Sequence, residues 1–332
     1  MRHTLAFLAL LATPGLQAAP GVLDIGRLAP RLETIANQAR PATLGIAVRE
    51  LDSGRQVMLY GGQRFPMQSV FKLALAVAAL DRVDRGELAL EEEILIGVED
   101  ISPGWSPLAA DIRAAGELRL SVAELIRQAQ VVSDNTATDM LVLRLGGMAA
   151  VQRILEAKGI RGLRLDRNER ELVPGVLGLD PDPAWTDYAR VRAEVAAWPE
   201  GRLHATLDAH LADPRDTATP ADLLELLTAI ERGELLSPSS TARLRYWMRE
   251  TRTGPGRLRA GLPVGWALGH KTGSSATFDG RTPTSNDVGI AYGPRGERIA
   301  IVALLRDSTA DAEGRDALIA AVAEAVVDSL VP

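Results

Sequence analysis

The 332-residue sequence contains no cysteine and only four histidines. The lack of cysteine excludes disulfide bonds, thiolate metal sites, cysteine nucleophiles and lipid anchors on cysteine. No histidine shows a metal-ligand spacing such as H-E-x-x-H, so His204 and His210 are interpreted as surface helix residues. We therefore expect neither a metal nor any other cofactor.

Long apolar runs are also missing. The longest early run, residues 5–12, follows Arg2 and precedes the small residues Ala18 and Ala19. It is too short to span a bilayer, and its layout is typical of a secretory signal peptide. We predict a signal peptide over residues 1–19, with a buried amino-terminal helix as the alternative. The mature protein is then exported, periplasmic or secreted, without stable membrane association.

Excess positive charge is absent as well. The net charge is −6, and acidic and basic residues are interspersed along the chain. A nucleic-acid partner would call for a basic stripe, which the sequence does not contain. We therefore expect no nucleic-acid partner, and we expect the protein to be a monomer.

Lysine is rare. Only three of the 37 lysine and arginine residues are lysine: Lys72, Lys158 and Lys271. An arginine guanidinium stays protonated in a protein, whereas a lysine amine can release its proton. Lys158 precedes Gly159 at a predicted helix end, where a cation complements the helix dipole. Lys72 and Lys271 therefore remain as candidates for proton chemistry.

Hydrophobic periodicity predicts strands near both ends of the chain and helices throughout. The predicted helices cover residues 22–40, 69–84, most of 120–158, 221–233, 238–250 and 311–329. The predicted strands form a hairpin around Asp52-Ser53-Gly54 and three successive strands within residues 264–308. We predict a mixed α/β (α+β) fold, with an antiparallel sheet flanked by helices. One domain combines residues 20–65 and 250–332, and an all-α domain is inserted over residues 66–249.

Ser69 and Lys72 form an S-x-x-K pattern at the start of a predicted helix, just after Pro66. Residues three apart share a helix face, so the two side chains can meet. Free N–H groups in a first helical turn favour developing negative charge. A serine hydroxyl becomes a nucleophile when a base takes its proton, and an amine can be that base. Many S-x-x-K pairs are nevertheless surface coincidences.

Two further short elements combine serine, asparagine, threonine and lysine. Ser133-Asp134-Asn135 lies between helical stretches and is either part of a site or a helix N-cap. Lys271-Thr272-Gly273 lies on a predicted strand and is either part of a site or an edge lysine beside a glycine bulge. Because two of the three lysines fall in S-x-x-K and K-T-G, a shared site is favoured.

In this order and spacing, the three elements resemble the motif set of the class A serine β-lactamases and the related penicillin-binding proteins. The resemblance covers nearly the whole mature chain, including Trp105-Ser106-Pro107 and the closing strands and helix. It implies a β-lactamase/transpeptidase-like fold and a serine hydrolase whose substrates are small-molecule β-lactams.

The resemblance also implies catalytic roles. Ser69 corresponds to the acylated nucleophile and Lys72 to the partner that activates it. Ser133 corresponds to the hydroxyl that passes a proton to the departing lactam nitrogen. The backbone N–H groups of Ser69 and Ser274 would form an oxyanion hole for the charge on the carbonyl oxygen.

Other matched positions imply contacts with the substrate. Asn135 would bind the side-chain amide of the β-lactam. Arg257 and Trp105 fall where family members place an arginine near the substrate carboxylate and an aromatic residue at the entrance. The carboxylate itself would be engaged by the K-T-G element: Lys271, Thr272 and Gly273.

Hydrolysis needs a general base for the water that attacks the acyl-enzyme. Arg167, Glu169 and Leu172 match the family's omega-loop stretch, in which the glutamate holds this water. Val173 stands where the family has an asparagine that helps to hold it, and Glu171 is a second carboxylate at a different spacing. Taken alone, the stretch is equally consistent with a solvated charged turn.

The family's omega loop closes with an aspartate that pairs with its first arginine, and Asp216 resembles this residue. Residues 174–215 make the loop far longer than is usual in the family. Two apolar stripes predict two short helices packed as a cap: Tyr188, Val191, Val195 and Trp198, then Leu203, Leu207 and Leu211. The cap either packs beside the body without a further role, or narrows the site or supplies what Val173 lacks.

Three functions follow from these residues. The first is an exported class A-like β-lactamase that contributes to antibiotic resistance. The second is a soluble penicillin-binding protein or D-Ala-D-Ala peptidase with slow deacylation, which Val173 favours. The third is a non-hydrolytic module that captures β-lactams.

Overall fold

The computed structural model describes residues 20–331, so the predicted signal peptide over residues 1–19 lies outside the described residues. An antiparallel five-stranded sheet forms the scaffold, in the order β3-β2-β10-β9-β8. Its strands are β2 (Thr43–Glu50), β3 (Gln56–Leu59), β8 (Ala267–Ser274), β9 (Thr282–Tyr292) and β10 (Arg298–Ser308). Strands from both ends of the chain pair directly, because β10 lies beside β2. The predicted antiparallel sheet is confirmed.

The sheet is buried on both faces, and the alternation of its side chains shows why. Ile301 and Ala303 of β10 point into a core shared with helices α1 (Ile25–Gln38) and α12 (Ala312–Asp328). Val302 and Leu304 point into the larger core, which helices of the middle of the chain cover. Successive side chains of a strand face opposite sides, so an uninterrupted apolar run is needed to bury both faces.

The other helices fill the middle of the chain. They are α2 (Phe71–Asp84), α3 (Leu108–Ala115), α4 (Val122–Arg127), α5 (Asn135–Arg144), α6 (Met148–Ala157), α7 (Glu169–Gly175), α8 (Tyr188–Ala196), α9 (Arg202–Ala212), α10 (Pro220–Arg232) and α11 (Pro238–Glu250). Helix α2 is buried on all sides from Phe71 to Asp81, as a helix that is apolar on every face requires. Alanine at four of these positions lets neighbouring elements approach it: Ala74, Ala76, Ala78 and Ala79.

Short strand pairs occur where the sequence predicts none. They join β1 (Val22–Leu23) to β11 (Leu330–Val331), β4 (Phe65–Pro66) to β7 (Thr217–Ala218), and β5 (Glu93–Gly97) to β6 (Glu117–Ser121). The region predicted to be all-α therefore also contains strands. These strands are stabilised by partners distant in sequence, which a local period does not reveal.

Residues 120–158 form three helices, α4, α5 and α6, and Ser133-Asp134-Asn135 lies at the junction of the first two, as the sequence predicts. Helix α4 continues into a π-helical turn at Gln128–Val132, and Ser133 then adopts a left-handed conformation with φ of 64°. Asp134 caps α5 by accepting the backbone N–H of Ala137 at 2.8 Å. The polar Ser-Asp-Asn element thus ends one helix and begins the next, and its serine has a strained backbone conformation.

A buried ion pair closes the long insertion at its base. Arg167 Nε donates to Asp216 Oδ2 at 2.5 Å, and the other carboxylate oxygen accepts the backbone N–H groups of Asp166 and Arg167. Helices α8 and α9 lie between these ends, where two short helices are predicted, although α8 ends before Trp198. His204 is exposed, but the prediction of a surface position for His210 is wrong: its ring packs against the body, and burial lowers its pKa to about 4.

Asp216→Ala should destabilise the protein by about 3–5 kcal/mol, because it leaves the buried guanidinium of Arg167 without its main partner. The matched control is Asp208→Ala, which removes an exposed carboxylate paired with Arg281 and should cost less than about 1 kcal/mol. Urea unfolding at pH 7 measures both changes. Equal free energies of unfolding for the two variants would contradict the anchoring role of Asp216.

Candidate active site

Ser69 lies in a 3₁₀ turn, Gln68–Val70, that leads directly into α2. The turn is tightly held: the side-chain amide of Asn286 donates to the carbonyl oxygens of Pro66 and Met67. A Cβ on Gly273 would lie 2.4 Å from Met67 O. Because glycine allows this close approach, β8 packs directly on the turn, and Ser69 and Ser274 line the same cavity.

The Lys72 amine, one helical turn from Ser69, is fully buried. It donates to Ser133 O at 2.8 Å and to Asn135 Oδ1 at 2.7 Å, and it forms an ion pair with Glu169 Oε1 at 3.0 Å. An ammonium has three donors, and oxygen atoms from three different residues lie within 3.0 Å of this nitrogen. The first S-x-x-K element, the Ser-Asp-Asn element and the Glu169 stretch therefore meet at one nitrogen.

Ser133 lies between two amines. Its hydroxyl is 2.9 Å from Lys271 Nζ and 3.4 Å from Lys72 Nζ. Burial lowers the pKa of Lys271 well below its ordinary value, and the nearby charge of Lys72 lowers it further. A hydroxyl between two amines that can share a proton is suited to proton transfer.

The remaining matched residues surround this centre. Asn135 Nδ2 donates to Pro103 O at 2.7 Å, which fixes the side-chain amide. Thr272 Oγ1 is 2.6 Å from Thr253 Oγ1. Arg257, held by Asp316 at 2.8 Å, donates to Ser274 Oγ at 2.8 Å. The structure thus places a cation and a hydroxyl beside the end of β8.

Trp105 lies at the rim. Its side chain is among the most exposed apolar groups of the described residues, at 63%. The indole N–H donates to Val132 O at 2.8 Å, and the ring borders the cavity that contains Ser69. This hydrogen bond fixes the exposed apolar face of the indole at the entrance of the cavity.

Glu169 is the first residue of helix α7, so this stretch forms a helix and not the solvated charged turn that the sequence also allowed. The helix is capped by Asn168, whose side chain accepts the N–H of Glu171, while Glu171 accepts the N–H of Asn168 at 3.1 Å. This capping box turns Glu171 to the surface. Glu169 is buried beside Lys72, and Val173 faces the cavity one turn later.

Sequence reasoning missed Asp139. Its buried carboxylate accepts the N–H of Glu169 at 2.8 Å, the N–H of Arg170 at 3.1 Å and the hydroxyl of Ser102 at 2.8 Å. Burial, followed by the charge of Glu169, raises its pKa to about 6. An available signal was its spacing, because Asp139 follows Asn135 by four residues and shares its helix face.

Two general features of the described part of the chain, residues 20–331, bear on the site. These residues contain no group of three or more histidine or acidic side chains arranged to hold a metal ion. No helix among them has the length and apolarity needed to cross a membrane.

Comparison with known proteins shows the family to which the chain belongs. The model of the beta-lactamase enzyme family matches residues 27–330. The extended-spectrum beta-lactamase PER-1 of Pseudomonas aeruginosa is 30% identical over 286 residues, with 86% of this chain and 82% of that protein covered. The carbapenem-hydrolyzing beta-lactamase KPC of Klebsiella oxytoca is 28% identical over 288 residues, with 87% and 84% covered.

Solved structures give the same result for the fold. A beta-lactamase from Chitinophaga pinensis has a TM-score of 0.74 and 31% identity, with 91% of this chain and 98% of that chain covered. An ancestral class A beta-lactamase of Gram-negative bacteria has a TM-score of 0.73 and 34% identity, with 91% and 99% covered. The family resemblance and the fold class predicted from the sequence are confirmed.

Asp139→Asn should become progressively more stable relative to the wild type as pH rises from about 4 to about 6. The raised pKa means that folded Asp139 holds its proton to higher pH than the unfolded chain, so wild-type stability falls through this window. The difference should grow by at most about 1.4 kcal/mol per pH unit and be constant above the window. Urea unfolding of both proteins at a series of pH values measures it. A difference independent of pH would show that Asp139 titrates normally.

Proposed function

The chain belongs to the β-lactamase enzyme family and is a class A serine β-lactamase that hydrolyses β-lactams; from this premise we propose that it works through a Ser69 acyl-enzyme released by water with the help of Glu169. The supporting observation is the meeting of separate motifs at the buried amine of Lys72, within 3.0 Å of Ser133 O, Asn135 Oδ1 and Glu169 Oε1. A lysine with only a structural role would not need acceptors from three separate motifs.

In acylation, the Ser69 hydroxyl attacks the carbonyl carbon of the lactam, and Lys72, in its neutral amine form, accepts the hydroxyl proton. The backbone N–H groups of Ser69 and Ser274 stabilise the negative charge on the carbonyl oxygen. Collapse of this intermediate breaks the carbon–nitrogen bond of the ring, and Ser133 passes a proton to the departing nitrogen. The 2.9 Å contact with Lys271 and the 3.4 Å contact with Lys72 support this relay.

In substrate binding, the acyl amide lies against Asn135, whose side chain is fixed by Lys72 and Pro103. The substrate carboxylate lies against Lys271 and Thr272, with Gly273 allowing the strand to approach. Arg257, 2.8 Å from Ser274 Oγ, adds positive charge on this side. Trp105 contributes apolar contact at the entrance.

In deacylation, Glu169 takes a proton from a water molecule that attacks the ester carbonyl, and Ser69 leaves as a hydroxyl. The closed pair of Arg167 and Asp216 holds the segment that presents Glu169, and Asp139 fixes the first turn of α7. Val173 offers no hydrogen bond to the water, so only one side chain of this stretch orients it.

Val173 also supports a second candidate, a soluble penicillin-binding protein or D-Ala-D-Ala peptidase that acylates and releases slowly. A non-hydrolytic β-lactam-binding module is the extreme of the same behaviour. Turnover of a chromogenic cephalosporin and a penicillin, followed together with intact protein mass, separates the three. Many turnovers with little adduct are expected. A lasting one-to-one adduct without turnover would replace the first proposal with the second or third.

We also propose that residues 1–19 direct export and are removed, leaving a monomer in the periplasm or outside the cell. There the enzyme destroys β-lactams before they reach their targets, which confers resistance. The proposed domains are residues 20–65 with 250–332, and residues 66–249, in which the extended omega loop includes residues 174–215. The pairing of β2 with β10 supports a first domain made from both ends.

Ser69→Ala should abolish both turnover and the mass adduct, because no hydroxyl remains to be acylated. Glu169→Ala should still form the adduct and then release it at least about a hundredfold more slowly, in the range of a lost general base. Glu171→Ala is the matched control: it removes the neighbouring surface carboxylate and should turn over as the wild type does. Normal turnover by Glu169→Ala would exclude Glu169 as the base.

Val173→Asn should release the acyl-enzyme up to about tenfold faster than the wild type, because one added hydrogen bond to the water contributes about 0.5–1.5 kcal/mol. Val173→Ala, which shortens the side chain without adding an amide, should not. Single-turnover mass spectrometry separates the acylation rate, which should be unchanged, from the release rate. Equal release by both variants would show that this position does not hold the water.

A further inference from the structure

The cavity that contains Ser69 has a volume of about 390 Å³ and two chemically different halves. One half presents the polar residues Ser69, Asn135 and Glu169. The other half is apolar, and most of it comes from the long insertion: Leu177, Leu179, Trp185 and Val191, together with Val173 of α7 and Phe278 of the β8–β9 connection. A site for the lactam ring alone has no use for this second half.

Val173 lies at the boundary between the halves. A Cβ on Gly104 would lie 2.9 Å from Asn135 Nδ2 and 3.3 Å from Val173 Cγ2, so both side chains border the same glycine, and both line the cavity. With the lactam carbonyl at Ser69 and the acyl amide at Asn135, the acyl side chain of the substrate leaves Asn135 toward Val173. The apolar half is therefore the space that this side chain enters.

Trp185 is held in place before any substrate arrives. Its indole N–H donates to Asp180 O at 2.9 Å, and the Arg190 guanidinium lies 5.3 Å from the ring centroid. The side chain is only half buried, so part of its apolar face borders the cavity. A preformed apolar wall of this kind gains free energy when an apolar ligand group displaces its water.

The two walls are tied together on their outer side. Arg281 Nη2 donates to Asp208 Oδ1 of α9 at 2.6 Å, and His204 Nε2 lies 3.2 Å from Asp279 Oδ2. Arg281 and Asp279 belong to the same connection as Phe278. The insertion is thus joined to the β8–β9 connection, which holds these two sides of the cavity together.

We propose that the insertion builds an acyl-side-chain chamber, formed by Val173, Leu177, Leu179, Trp185, Val191 and Phe278, that makes the enzyme selective for β-lactams with bulky apolar acyl groups. The inference rests on the proposed acyl-enzyme function and adds the substrate class to it. It favours the alternative in which the cap narrows the site.

The test uses 6-acylamino penicillins that share one nucleus and differ in the acyl group, acetyl or phenylacetyl. Wild-type kcat/KM should be at least about tenfold higher for the phenylacetyl penicillin than for the acetyl penicillin, because an apolar pocket discriminates between acyl groups to about this extent. Trp185→Ala should remove most of this preference by lowering kcat/KM for phenylacetyl while leaving acetyl within about twofold. Trp198→Ala is the matched control, because Trp198 also lies in the insertion, stacked on Arg202 and outside the cavity.

Phe278→Ala tests the chamber from its other wall and does not depend on the folding of the insertion. It should reduce the preference for phenylacetyl in the same direction. Loss of the preference in both variants, with the control unchanged, supports the chamber. An unchanged preference in both variants, or equal losses for the acetyl and phenylacetyl substrates, overturns it. Failure of the wild type to hydrolyse either substrate would instead reject the proposed function.

Discussion

Lys72 belongs to helix α2, which is buried on all sides, and the neighbouring residues of the site offset the free-energy cost of burying its amine. An unpaired cation in this environment would be strongly destabilising, so acceptors must surround it. They come from Ser133, Asn135 and Glu169, on segments far apart in sequence. The left-handed turn at Ser133 and the position of helix α7 follow from the need to bring these oxygens to one nitrogen.

The same constraint links the insertion to the chemistry. Glu169 reaches Lys72 only if the chain is fixed on both sides of it, and Asp139 and the Arg167–Asp216 pair provide this. Once these anchors close the loop, the length of chain between them is free to vary, since loop-closure entropy rises slowly with length. The added residues could therefore form a wall of the cavity without disturbing the catalytic centre.

Much of the fold was readable from local patterns. The apolar runs of β2, β10 and α2 and the apolar stripes in the region of α8 and α9 each predict their element, because apolar residues recur where an element packs against its neighbours. The strand pairs β4–β7 and β5–β6 were not readable, because their stability comes from distant partners. The left-handed backbone of Ser133 and the burial of His210 also depend on packing that no local period records.

The sequence by itself determined the family, the order of the motifs and the residue types at the site. The reason is that two of only three lysines fall within S-x-x-K and K-T-G, with a Ser-Asp-Asn element between them, and this combination is improbable by chance. Only the tertiary structure decided which carboxylate faces Lys72, since Glu169 and Glu171 differ by two residues and a capping box turns Glu171 to the surface. It alone revealed Asp139 and the apolar half of the cavity. Both depend on long-range contacts between separate segments, and such contacts are specified by packing in three dimensions.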